Sequence, residues 1–285
     1  MSMIEASVYI GLAFGSISAS FLFPMIGAKY LFVLSASIIV FASLYIMLFV
    51  KESLNEDQIS TNFNHFGAIP IIKAALQRRR SYDRLILWLL ISIYVMNVIV
   101  IDGQGAIFYI YLRGKFQLTV SEYTKFEFYS IILPVIILYA LKYQSKTFSA
   151  LSLALVSYGS QILRSVADAT ANNYVYIIVG LFLGSLKLFA LPMVRVMISL
   201  VVPPQEFTKI IAITNILGNF LPFVAAPIYT FVYTNTFNLY SGAVIFLSTG
   251  FFSLCFLFLC AIFIITRRNE QHYTKFFENV CFNCI

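Results

Sequence analysis

Residues 85–112 read LILWLLISIYVMNVIVIDGQGAIFYIYL, and this stretch decides the fold. It holds one charge, Asp102, in a length that at 1.5 Å per residue exceeds the roughly 30 Å hydrocarbon core of a bilayer. A helix on the surface of a soluble protein sets a charged face against its apolar stripe, and no such face is present here. The stretch therefore predicts a membrane-spanning helix. Working outward, similar apolar runs at 4–25, 30–50, 123–143, 148–166, 174–202, 210–234 and 240–266 predict an all-α polytopic bundle of about eight transmembrane helices. Residues 51–84 form the long polar connection between the second and third spans, and 267–285 form a polar tail.

The composition agrees with one membrane body. Of 285 residues, 60% are hydrophobic and 11% charged, with a mean hydropathy of +0.88, which leaves no material for a separate soluble domain. The net charge of +7 is not a nucleic-acid footprint, because the basic residues sit at span ends instead of forming a dense stripe. With an even number of spans both termini share a side. That side holds Lys51, Lys73, Arg78, Arg79, Arg80, Arg84, Lys142, Lys146, Lys209, Arg267, Arg268 and Lys275, whereas the other holds Lys29, Arg113, Lys115 and Lys125. The excess makes the loop and both termini cytoplasmic. Within the loop, residues 69–80 read as a short interfacial helix whose arginines meet anionic headgroups.

No phosphate-cradling glycine loop, nucleophile elbow or zinc-protease motif occurs, and the two histidines, His65 and His272, lie in polar segments. Cys255 and Cys260 fall in the last span and Cys281 and Cys284 in the tail, which reads as free thiols. The chain is expected to be a non-enzyme without cofactor or metal.

Charges left inside apolar spans are costly and point to function. Ile101-Asp102-Gly103-Gln104-Gly105 interrupts the third span with two glycines, an acid and an amide, as helices lining transport pathways do. Asp102 is then a proton or cation site and Gln104 a substrate contact, with Tyr109 adding a hydroxyl; the alternative is that Asp102 fastens helices. Arg195 is read either as a carboxylate clamp or as a structural clamp on backbone carbonyls. Lys187, eight residues earlier, stands close to two turns away and is expected to face the same lumen. Arg164 and Asp168, spaced i and i+4, read as a structural ion pair. Gly11, Gly15 and Ala19 form a small-residue stripe suited to close helix packing or to a sliding contact.

Several short motifs, in order, resemble the major facilitator superfamily, and within it the proton-coupled folate transporter and its relatives. They are Glu5 followed by Gly11 and Gly15, Lys51-Glu52-Ser53 ahead of a basic loop, and Gly103-Gln104 with Ile107 and Ile110-Tyr111. Pro192-Met193-Val194-Arg195, the turn from Pro204 to Glu206 with Lys209, and Pro227-Ile228-Tyr229 before Gly242-Ala243 continue the series. The resemblance implies twelve spans with the long loop after the sixth. Residues 1–50 would then be the last two spans of the N-terminal bundle, 51–84 the central loop and 85–266 the C-terminal six-helix bundle, with four spans absent at the front. It implies alternating-access transport, most concretely proton-coupled uptake of an organic anion such as a folate-like conjugate, in the plasma or endolysosomal membrane. Its partners would be a small solute, protons and the lipid bilayer. The family's acidic or histidine groups are not carried over, because Ile101 and Asp102 stand where a histidine would be sought. The rival reading is a non-transporting scaffold or receptor-like membrane protein, or an inactive truncated transporter.

Overall fold

Helix boundaries follow from local chemistry. The helix α2, Asp83–Phe116, outlasts its apolar run by a turn and stops at Gln117, which takes the left-handed conformation (φ 54°, ψ 33°) and donates its amide to the Arg113 carbonyl at 2.9 Å. Three residues later the next helix begins on a reciprocal cap. The Thr119 amide and hydroxyl donate to the Glu122 carboxylate at 2.9 and 2.8 Å, and the Glu122 amide donates back to the Thr119 hydroxyl at 3.3 Å. This is why α3, Val120–Tyr143, starts before its apolar run does.

The computed structural model describes residues 3–50, 82–143, 149–269 and 273–274. The expectations for the central loop, its interfacial helix, the two histidines, and Cys281 and Cys284 fall outside the described residues. The other helices are α1, Met3–Phe49; α4, Ala150–Thr170; α5, Tyr174–Leu183; α6, Ala190–Val201; α7, Pro204–Phe220; α8, Pro222–Thr236; and α9, Ala243–Arg268. The chain is thus an all-α membrane bundle. By length and composition the runs Phe21–Phe49, Asp83–Phe116, Glu206–Thr236 and Ala243–Arg268 are each able to cross a bilayer, and α5 with Lys187–Val201 meets the same test only when the two bent pieces are taken together. The expected spans 123–143 and 148–166 are also helical, but charged and polar residues that line the site described below dilute them.

Two expected spans are broken and two others run into each other, each for a visible reason. In α1, Gly27 takes φ 75° and ψ 168°, a region open in practice only to glycine, so two helical stretches meet at one residue and not across a loop. At Leu221 the backbone stays helical, but Pro222 offers no amide hydrogen and the ladder between α7 and α8 is interrupted. The expected span 174–202 bends by 45° between α5 and a 3₁₀ turn at Lys187–Phe189 that leads into α6. The break frees carbonyls, and the Ser157 hydroxyl of α4 satisfies one of them, donating to Leu186 O at 2.8 Å.

Packing builds two apolar clusters stacked along α2. One gathers Ile86, Leu87, Leu90, Ile93, Leu151, Ala154, Met193, Val194 and Leu259 from α2, α4, α6 and α9. The other gathers Ile107, Tyr111, Ile177, Tyr229 and Val244 from α2, α5, α8 and α9. Gly103 lets α8 approach α2 here: a Cβ at Gly103 would occupy the ring of fully buried Tyr229, whose hydroxyl lies 2.9 Å from Ser248 Oγ. The last carbonyls of α4 are tied down by tyrosines, with Tyr111 donating to Asp168 O and Tyr240 to Ala169 O, both at 2.9 Å. In the stripe of Gly11, Gly15 and Ala19 both glycines are exposed, and a Cβ on either meets no atom within 4 Å among the described residues.

Candidate functional site

Between the two apolar clusters lies a cavity of about 400 Å³, a size within the range of small-molecule pockets. Its wall is shared by the middle of α2, the first half of α3, the last three turns of α4, the 3₁₀ turn, and single residues of α1, α6 and α9. Apolar side chains such as Phe108, Phe126, Leu188 and Phe252 supply part of it. Set among them are two cations, Arg164 and Lys187, and two anions, Glu127 and Asp168. Four ionisable groups around a cavity inside an apolar bundle are costly, and such groups are kept where a polar ligand or ion passes.

The α4 side is a polar stripe. Gln161, Arg164, Ser165 and Asp168 recur at intervals of three and four, so one face carries them all. Arg164 Nε lies 3.4 Å from Asp168 Oδ2, a single long contact and not a bidentate fork. Asp168 is 1% exposed at its side chain. Gly180 of α5 and Gly184, just past its end, fit over this pair. A Cβ at Gly180 would strike Asp168 Oδ1, and a Cβ at Gly184 would strike the Arg164 side chain. Gly184 has φ −85°, so its role is close approach and not an unusual backbone conformation. Behind the stripe, Thr249 of α9 donates to Ser165 Oγ at 3.0 Å.

Across the cavity, Lys187 Nζ donates to Ser130 Oγ of α3 at 2.7 Å, a neutral partner. No carboxylate lies within 4.0 Å of the Lys187 ammonium among the described residues. On α2, Asn97 donates to the Tyr158 hydroxyl at 2.7 Å, and the pair is fully sunk in the bundle. Three atoms of wall side chains, Asn97 Oδ1, Gln161 Nε2 and Asp168 Oδ1, have no hydrogen-bond partner among the described residues. Each such buried group costs about 1–3 kcal/mol while unpaired. Such a wall suits a ligand rich in hydrogen-bonding groups.

Of the residues singled out by sequence, Gln104 and Lys187 stand on this wall, and so do Arg164 and Asp168. Asp102 is half-buried on α2 at the same level but off the wall. Tyr109 is also off it, packed against the wall residue Tyr123 with ring centroids 4.9 Å apart. Lys187 and Arg195 are not brought to one lumen. The 3₁₀ turn advances about 120° per residue where an α-helix advances 100°, so counting two α-turns across it fails. Arg195 instead sets its guanidinium 5.8 Å from the Tyr94 ring centroid, away from the cavity. Sequence reading passed over Glu127, Ser130, Gln161 and Asn97. Glu127 carried a signal all the same, being an acid inside the expected span 123–143.

No family model matches the chain. A comparison with curated proteins finds similarity to the probable peptidoglycan muropeptide transporter SLC46 of Drosophila melanogaster, 28% identical over 287 residues. The match takes in 96% of this chain and 55% of that protein, so the chain spans about half the length of the relative it matches.

Proposed function

We propose that this chain belongs to a membrane solute carrier of the major facilitator type, working by alternating access and taking up a polar conjugate of the muropeptide class. The observation that carries the reading is the cavity itself: about 400 Å³ between two apolar clusters, walled by two cations and two anions. A scaffold gains nothing from keeping four ionisable groups there, whereas a carrier uses them to replace the hydration of a charged solute. The similarity to the Drosophila transporter supports the same class and suggests its substrate. Lys187 and Arg164 would hold carboxylates, which makes the solute an organic anion in at least one part, and Gln104 would add a hydrogen bond.

Uptake in cells expressing the protein, measured with labelled muramyl dipeptide against folates, conjugated sterols and small peptides at acidic and neutral pH, tests the reading. Saturable uptake of the muramyl compound, above that of cells lacking the protein, is expected. Uptake of none of the panel by protein present at the membrane would leave the scaffold reading in its place.

Protons are the proposed coupling ion, with Asp102 as the coupling carboxyl. Its support is a half-buried acid on a wall-forming helix, two residues from the wall amide Gln104. Asp102→Asn mimics the protonated form, so exchange of solute should persist while accumulation driven by an acid-outside gradient is lost. A pH profile of uptake identical to that of the unaltered protein would remove Asp102 from the coupling step.

A further inference from the structure

The four charges of the cavity do not pair off evenly. Arg164 and Asp168 are in contact on α4, at 3.4 Å. Lys187 is held by the neutral Ser130, and Glu127 has neither a hydrogen bond nor a cation within 4.0 Å among the described residues. Glu127 is nevertheless half-buried on the cavity wall, where an unpaired carboxylate is costly. Glu127 and Ser130 are three residues apart on α3 and share a face, so the group that holds the lysine sits one turn from the acid. The cavity thus presents an ammonium and a carboxylate on one wall, with no contact between them within 4.0 Å among the described residues. The matching ligand element carries the opposite arrangement, a carboxylate for Lys187 and a protonated amine for Glu127.

We infer that Glu127 is the specificity-determining anion of the cavity, reading a free amino group on the solute while Lys187 takes a nearby carboxylate. The inference rests on the transport reading above and narrows it from organic anions to solutes with charge of both signs. A solute lacking the amine leaves the half-buried Glu127 without a contacting donor and with only the through-space attraction of Lys187, so rejection comes from the under-compensated acid as much as from the lost contact.

The test uses the whole protein purified in detergent and two probes, an N-acetylmuramyl tripeptide ending in lysine and the same compound acetylated on the lysine Nε. The unaltered protein should bind the free-amine form about tenfold more tightly or better, the factor given by one charge-assisted hydrogen bond. In Glu127→Gln that ratio should fall towards one, and Glu127→Asp, which keeps the charge on a shorter arm, should restore part of it. Equal binding of both probes by the unaltered protein overturns this inference and leaves the transport reading standing. A preference that survives in Glu127→Gln assigns the amine to another group and also overturns it. If that variant keeps the preference but shifts the pH dependence of binding, Glu127 handles protons instead. No binding of either probe overturns both this inference and the muropeptide reading.

Discussion

Lys187→Met should lower uptake by about ten- to a hundredfold while leaving the bundle as stable as before or more stable. The two halves of this expectation come from the same fact. The ammonium is held in the cavity by a single described hydrogen bond, to Ser130 Oγ at 2.7 Å, with no carboxylate in contact among the described residues. For folding, it is a charge kept out of water with little return, and an apolar side chain of similar length removes that cost. For a carboxylate-bearing solute it is a full positive charge on the cavity wall with no acid in contact among the described residues. Charge-assisted hydrogen bonds are worth about 1.5–3 kcal/mol, which is about ten- to a hundredfold in affinity. Uptake normalised to surface protein, together with thermal unfolding in detergent, checks both halves. Loss of uptake with a large fall in melting temperature would make Lys187 a structural residue, and unchanged uptake would remove it from the site.

The fold was legible because its cause is one-dimensional. Burial of helices in lipid asks only for runs of apolar residues of sufficient length, and residues 85–112 meet that condition without reference to anything distant in the chain. What hydropathy does not encode is where a run bends. Residues 174–202 carry no charge apart from Lys187 and Arg195 and are otherwise largely apolar, yet the helix gives way after Leu183 and resumes at Ala190. The bend is set by contacts from α4, with Ser157 taking up a freed carbonyl and Arg164 filling the space over Gly184. Neither is a neighbour in sequence.

The site was legible residue by residue, but not as an assembly. Lone charges in apolar runs flagged Lys187, Arg164 and Asp102 as residues needing an explanation, because the cost of charge in a membrane does not depend on tertiary detail. Their grouping does. The i and i+4 spacing of Arg164 and Asp168 suggested a structural ion pair, and in the bundle the two are in contact while that same face of α4 also lines the cavity. Arg195 and Lys187 show the reverse error, since a periodicity argument joined them and a short 3₁₀ turn separates them. Glu127, three residues before Ser130 near the start of α3, was hidden by its position close to a span end, where acids are common and ask for no account.

The glycine notch on α5 carries the largest expected effect on stability, and a double-mutant cycle isolates it. Gly180→Ala places a methyl group against Asp168 Oδ1, an atom that cannot swing clear without loosening the contact of Oδ2 with Arg164. Because α4 is pinned at this level by Tyr111 on Asp168 O and by Tyr240 on Ala169 O, the strain falls on the α4–α5 contact. Overpacking of this kind costs about 1–3 kcal/mol. Asp168→Ala is destabilising for another reason, leaving the Arg164 guanidinium buried without its acid. In the double variant the new methyl occupies the volume the carboxylate has vacated, so the two costs do not add. The sum of the single effects should exceed the double by about 1–2 kcal/mol, the coupling expected of side chains in contact. Thermal or denaturant unfolding of the four proteins in detergent gives the cycle. Additive effects would mean that Gly180 and Asp168 do not touch, and the close seating of α5 over the ion pair would have to be abandoned.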